Sequence, residues 1–154
     1  MTKNLIAYFS ASGVTKNVAE KINKIIDSDI FEITPKQLYT QADLNWNDNS
    51  SRSSIEMHDK NSRPEIKETI DVSKYENIIL GFPVWWYTAP TIINTFIEEN
   101  NVRNKNIYVF VTSGSSGSTD SFNNLKNAYP ENNWIDSKRL SGNLGVDEIK
   151  EWIE

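Results

Sequence analysis

The sequence predicts an α/β fold: a doubly wound parallel sheet of five strands with helices on both faces. Three observations predict it. Apolar runs of strand length alternate with segments of helical period. Several runs, Leu5-Ile6-Ala7-Tyr8-Phe9 foremost, are almost continuously apolar, as in strands covered on both faces. Three of the runs are each followed by a turn of unusual composition. Strands that alternate with helices imply right-handed crossovers, and hence a parallel sheet.

The first strand is Leu5 to Phe9. From Thr15 the period changes: Val18, Ala19, Ile22, Ile25 and Ile26 share one helical face, with Lys16, Glu20, Lys21 and Lys24 largely outside. Ile30-Phe31-Glu32-Ile33-Thr34 alternates like a strand of lower burial, and Pro35 ends it. From Lys36 to about Arg63 the chain is polar and without period, a long loop that Tyr39, Leu44, Trp46 and Met57 could pin to the core. Pro64 suits a first helical position, which predicts a short helix to about Ile70. Asn77 to Phe82 is the third strand, and a helix over Thr91 to Glu99 buries Ile92, Ile93, Phe96 and Ile97. Ile107 to Val111, β-branched and aromatic, is the fourth strand. A helix from Thr119 to Tyr129, a strand from Trp134 to Leu140 and a helix from Val146 to Ile153 complete the chain.

A chain of 154 residues has the length of one domain, here residues 1–154 as a single unit. The net charge of -5 and the lack of a basic stripe argue against nucleic acid as a partner. No apolar run approaches the ~20 residues of a membrane span, and Met1-Thr2-Lys3-Asn4 lacks a signal-peptide pattern. Absence of cysteine removes disulfides, thiol redox motifs and zinc-thiolate sites, and fits a cytoplasmic protein.

The three turns carry the chemistry. Ser10-Ala11-Ser12-Gly13-Val14-Thr15 joins a buried strand to a helix, where unpaired N–H groups and the helix dipole favour an anion such as phosphate. Serine and threonine also cap helices without any ligand. Pro83-Val84-Trp85-Trp86-Tyr87 runs toward Pro90 as a stiff aromatic turn. Tryptophans are usually well buried, but adjacent residues at a strand end cannot easily both point inward. Thr112-Ser113-Gly114-Ser115-Ser116-Gly117 is rich in backbone donors. A phosphate anchor, flat aromatic surfaces and a donor-rich loop at the carboxyl edge of one sheet suit a phosphorylated planar heterocycle.

These residues resemble the flavodoxins, in particular a short-chain, bacterial flavodoxin-like subgroup. The family's Ser/Thr-x-Ser/Thr-Gly-x-Thr loop is matched by residues 10–15, the subgroup's Pro-[Val/Ile]-Trp-Trp by Pro83 to Trp86, and its Thr-Ser-Gly-x-Ser-Gly by residues 112–117. Asp43-Leu44-Asn45-Trp46 and Ser51-Arg52-Ser53-Ser54-Ile55-Glu56 extend the likeness. The resemblance implies strand order 2-1-3-4-5 and non-covalent FMN. It implies that Ser10, Ser12 and Thr15 hydroxyls, with nearby backbone N–H groups, hold the phosphate in a segment that also contains Ala11, Gly13 and Val14. Pro83, Val84, Trp85, Trp86, Tyr87, Thr112, Ser113, Gly114, Ser115, Ser116 and Gly117 would flank the ring system. Its partners would be a flavoprotein reductase and an electron-acceptor protein or small quinone.

The segments hold no Arg or Lys, apart from Lys16 just beyond the first, so dipoles would carry the phosphate. Desolvation without cationic neighbours disfavours an anionic reduced flavin, which predicts a low-potential electron carrier; ~1.4 kcal/mol corresponds to about 59 mV for one electron. The 83–90 turn lacks the glycine that many flavodoxins place beside flavin N5, which predicts weaker accumulation of the one-electron-reduced form. The rival reading is an NAD(P)H-dependent quinone or flavin reductase, with Arg52 and Arg63 as cations for a 2′-phosphate and His58 as a proton donor. A third class is a non-enzymatic, FMN-dependent sensor. Asp43, Asp48, Glu56 and Asp59 have metal-ligand chemistry, but nothing in the sequence fixes their geometry.

Overall fold

A computed structural model describes residues 3–113, 117–141 and 146–153. The strands are β1 (Asn4–Tyr8), β2 (Asp29–Glu32), β3 (Asn77–Pro83), β4 (Asn106–Thr112) and β5 (Asn133–Arg139). The helices are α1 (Val14–Ile25), α2 (Arg52–Met57), α3 (Thr91–Glu99), α4 (Thr119–Ala128) and α5 (Val146–Ile153). All strand pairs are parallel, in the order β2-β1-β3-β4-β5. The doubly wound sheet expected from the alternation is therefore the observed fold.

Side chains of successive strand residues face opposite layers. In β1, Leu5 and Ala7 join Leu80, Val109, Ile93 and Phe96 under α3 and α4. Ile6 and Tyr8 join Val18, Ile22, Phe110 and Ile149 under α1 and α5. Gly81 makes room for a side chain of β4. It lies opposite Phe110, whose fully buried ring occupies the space a Cβ would take, with the nearest ring carbon 2.0 Å from that position. β5 carries a register shift opposite Ile107 and Tyr108, so that Ile135 is skipped in the pairing.

Two expectations for the long loop are corrected. No helix forms over 64–70. The chain there lies antiparallel to the end of the β2 region: Lys36 N–H donates to the Glu65 carbonyl (2.8 Å) and Lys67 N–H to the Thr34 carbonyl (2.7 Å), around a Pro35–Ile66 bridge. Those bonds use backbone groups a helix would need, while Pro64 and Ile66 are buried. The helix is instead α2, capped by Ser51, whose Oγ accepts from Ser54 N–H. Its buried face is Ser53 and Ser54, with Ile55 exposed, so it has none of the apolar periodicity that marks a helix. Trp46 does not pin the loop; it is 70% exposed. Tyr39 does pin it, packed on the core, and Leu44 and Met57 are half-buried.

Candidate functional site

The strand order reverses between β1 and β3, and ligands of open parallel sheets bind beyond the carboxyl ends at such a reversal. Segments 10–15, 83–90 and 112–117 leave the carboxyl ends of β1, β3 and β4, three adjacent strands. Gly114, Ser115 and Ser116 lie outside the described residues.

The first segment is shaped around Gly13, at φ 93°, a left-handed conformation in which glycine is free of Cβ strain. Gly13 is the N-cap of α1 and its carbonyl accepts from Asn17 N–H (3.1 Å). Ser10 folds its side chain back on the turn. Its Oγ accepts from Gly13 N–H and Lys16 N–H, each at 3.1 Å, which leaves its own proton to donate. The N–H groups of Val14 and Thr15 have no acceptor among the described residues. Ala11 is half-buried against the core, while Ser12, Gly13 and Val14 are exposed. Thr15 is buried, and its hydroxyl lies 2.7 Å from that of Thr112.

The second segment resolves the question of its adjacent tryptophans. Trp85 and Thr88 exchange two backbone hydrogen bonds of 3.0 Å, closing a two-residue hairpin. Trp86 (φ 49°) and Tyr87 (φ 64°) form its tip, both left-handed. Two left-handed central residues define the turn that matches strand twist, a turn ordinarily built from Asn and Gly. The preceding Val84 N–H donates to the Thr112 carbonyl (3.1 Å), and Asn124 of α4 donates to Thr88 Oγ1 (2.9 Å). Trp85 turns inward, edge-on to Phe9 and Tyr39 at centroid distances of 5.7 and 5.4 Å. Trp86 is 36% exposed and Tyr87 71%. The turn thus divides its rings between a core anchor and a presented surface.

Behind Trp85 stands a layer that the motifs did not reveal. The Arg52 guanidinium lies 3.8 Å from the Tyr39 ring centroid, donates to Glu56 Oε2 (2.9 Å) and donates to the Gln37 carbonyl (2.6 Å). The Tyr39 hydroxyl donates to the other Glu56 oxygen. Burial first, then the Glu56 carboxylate, pushes the Tyr39 pKa far above its ordinary value, so it stays protonated. The four-residue spacing of Arg52 and Glu56 was the readable signal for this layer. His58 meets Trp86 edge-on at 6.0 Å. Arg63 does not approach the turns. It makes a bidentate pair with Glu98 of α3, at 3.0 Å on both arms.

In the third segment Thr112 is buried and Ser113 half-buried. Arg139, at the end of β5, donates to Ser113 Oγ (3.1 Å) and to its carbonyl (3.0 Å). A cation therefore does reach the turns, from a strand whose motif gave no sign of it. The loop carboxylates are spent on local structure. Asp43 accepts from Thr40 N–H, Asp48 from Ser50 and Asp59 from Asn61 N–H. Among the described residues no cluster of three or more His, Cys, Asp or Glu could hold a metal. No helix among them is long and apolar enough to cross a membrane.

Comparison with known proteins agrees with this fold. A family description, flavodoxin, matches residues 3–154. A crystal structure of a flavoprotein from Lactobacillus acidophilus NCFM in complex with FMN is 28% identical, with TM-score 0.77 and 100% of both chains covered. A candidate flavoprotein from Bacteroides eggerthii DSM 20697 is 42% identical with TM-score 0.95, covering 99% of this chain and 96% of that one. Another, from Bacteroides uniformis ATCC 8492, is 42% identical with TM-score 0.92, covering 99% and 97%. No curated protein matches.

Proposed function

We propose that this chain, which belongs to the flavodoxin family, holds FMN non-covalently and carries electrons at low potential between redox partners. The observation that carries the reading is the meeting of three differently equipped turns at one sheet edge. One offers a helix N-terminus with free N–H groups. One presents the rings of Trp86 and Tyr87. One follows β4 with small polar residues. The FMN complex of the Lactobacillus acidophilus relative supports the choice of cofactor.

The residues fit that cofactor. The N–H groups of Val14 and Thr15 point to an anion at the start of α1, and Ser10 keeps a proton to donate. The open space where a Gly13 Cβ would stand leaves room for close approach. FMN would supply the one- and two-electron chemistry, while the chain binds it, orients it and limits water. Trp85, Phe9 and Tyr39 form the wall that holds the hairpin, so the tip rings present a fixed surface.

The carrier reading is preferred to the reductase for a specific reason. The cations offered for a nicotinamide 2′-phosphate are engaged elsewhere, Arg52 with Glu56 and Tyr39, and Arg63 with Glu98. Arg139 stands on the exposed rim, where solvent screens its charge. Two measurements test the proposal. Titration with FMN, followed by flavin fluorescence, is expected to saturate at one equivalent. Spectroelectrochemistry of the loaded protein is expected to give a potential for the fully reduced state below that of free FMN. Failure to bind FMN refutes the cofactor; a potential at or above that of free FMN refutes the low-potential role.

A further inference from the structure

Thr112 belongs by sequence to the ring-facing loop, yet its hydroxyl is turned toward the opposite end of the site. Thr15 and Thr112 are 2% and 4% exposed, and their hydroxyl oxygens are 2.7 Å apart. Two hydroxyls at that distance share one proton, and the other proton needs an acceptor of its own. Among the described residues the pair has no other hydrogen-bond partner. A buried donor without an acceptor is costly, and this one stands at the second residue of α1, beside the free N–H groups of Val14 and Thr15.

The two orientations of the pair are not equivalent. If Thr15 donates to Thr112, the spare proton lies on Thr112 and the turn loses a donor. If Thr112 donates to Thr15, the Thr15 proton is free for the turn. An anion seated there selects the second arrangement, because it accepts a charge-assisted hydrogen bond that the first arrangement cannot offer. The Thr112 backbone is also held by the end of β3. It is paired with Pro83 in the sheet, and its carbonyl accepts from Val84 N–H. Its side chain therefore leaves a backbone that the sheet already holds.

We propose that Thr112 is a positioning residue for the phosphate end of the site. It donates its hydroxyl proton to Thr15 Oγ1, which turns the Thr15 proton onto the phosphate, and it thereby sets the preference for phosphorylated over unphosphorylated flavin. This rests on the FMN reading above.

The test measures dissociation constants for FMN and riboflavin, by flavin fluorescence, in the wild type, Thr112→Val, Thr112→Ala, Thr112→Ser and Thr15→Val. Wild type is expected to prefer FMN. Thr112→Val and Thr112→Ala are expected to weaken FMN by about threefold, because Thr15 keeps its proton but loses the hydrogen bond that aims and polarises it, with riboflavin unchanged. Thr112→Ser, which keeps the hydroxyl, is expected to retain the wild-type ratio. Adding Thr112→Val to Thr15→Val is expected to cost FMN nothing further, since the relay is already cut. The FMN-to-riboflavin ratio is the decisive readout, because a purely structural loss would weaken both ligands alike. Wild type that fails to bind FMN refutes the function proposed above. Wild type that prefers FMN, with equal losses of both ligands in Thr112→Val or Thr112→Ala, overturns the role of Thr112 and leaves that function standing. A changed ratio in Thr112→Ser overturns it as well, and so does additive loss in the double variant.

Discussion

Trp86 and Tyr87 hold a left-handed backbone that costs a non-glycine residue about 1–2 kcal/mol each. The hairpin tolerates this because it is fixed around its tip: Val84 to Thr112, Thr88 to Asn124 and Trp85 to Phe9 and Tyr39. Such expenditure at an exposed tip is expected where the rings are presented to a ligand. Tyr87→Gly should therefore move stability and binding in opposite directions. Denaturant unfolding of the apoprotein should show it about 0.5 kcal/mol more stable, the relieved strain less the chain entropy of glycine. FMN titration should show weaker binding. The sequence placed the aromatic rings at the carboxyl edge of the sheet but could not divide their roles. That Trp85 turns inward depends on Tyr39, which lies in a loop with no period, and on its partners Arg52 and Glu56.

Among the elements, β3 and β4 form the pair on which the site depends, and their contact is set by Gly81 under the Phe110 ring. The ring is fully buried and has nowhere to retreat. Gly81→Ala is expected to cost about 1–3 kcal/mol in denaturant unfolding, the usual range for overpacking. The long loop is joined to α3 by Arg63 and Glu98, and the Tyr129 hydroxyl also donates to Glu98 (2.5 Å). The Arg63 hydrogen bond holds the Glu98 carboxyl below its ordinary value of 4.5, with Tyr129 assisting against partial burial. A depressed carboxyl pKa stabilises the fold above the unfolded-state value and loses that contribution as pH falls through the folded one. The pair is partly exposed, so the contribution is at most ~1 kcal/mol. Glu98→Gln should flatten the fall in stability between about pH 5 and pH 3 and leave the slope near neutrality unchanged. The helix over 52–57 is not legible in the sequence for a physical reason: it buries serines, and hydrophobic period is blind to a face made of hydroxyls.

At the scale of the molecule, the alternation of strand and helix was legible because parallel strands buried on both faces must be apolar along their length, as Leu5 to Phe9 and Ile107 to Val111 are. The three turns were legible because their composition departs from ordinary connections. The contacts that tune them were not. Arg139 on Ser113 and Thr112 on Thr15 are joined across 26 and 97 residues of chain, and no local pattern records such pairings. The resulting molecule has one equipped edge, with the proposed phosphate end at α1 and the presented rings at the β3 turn. The cations nearest the rings are either paired or on the rim. That arrangement suits receiving electrons from a protein better than receiving hydride from a bound nicotinamide. The most direct measurement is anaerobic mixing of the FMN-loaded protein with NADPH, followed by the flavin absorbance. The account predicts no rapid bleaching with NADPH alone and prompt bleaching once a flavoprotein reductase is added in catalytic amount; rapid bleaching by NADPH alone would contradict it.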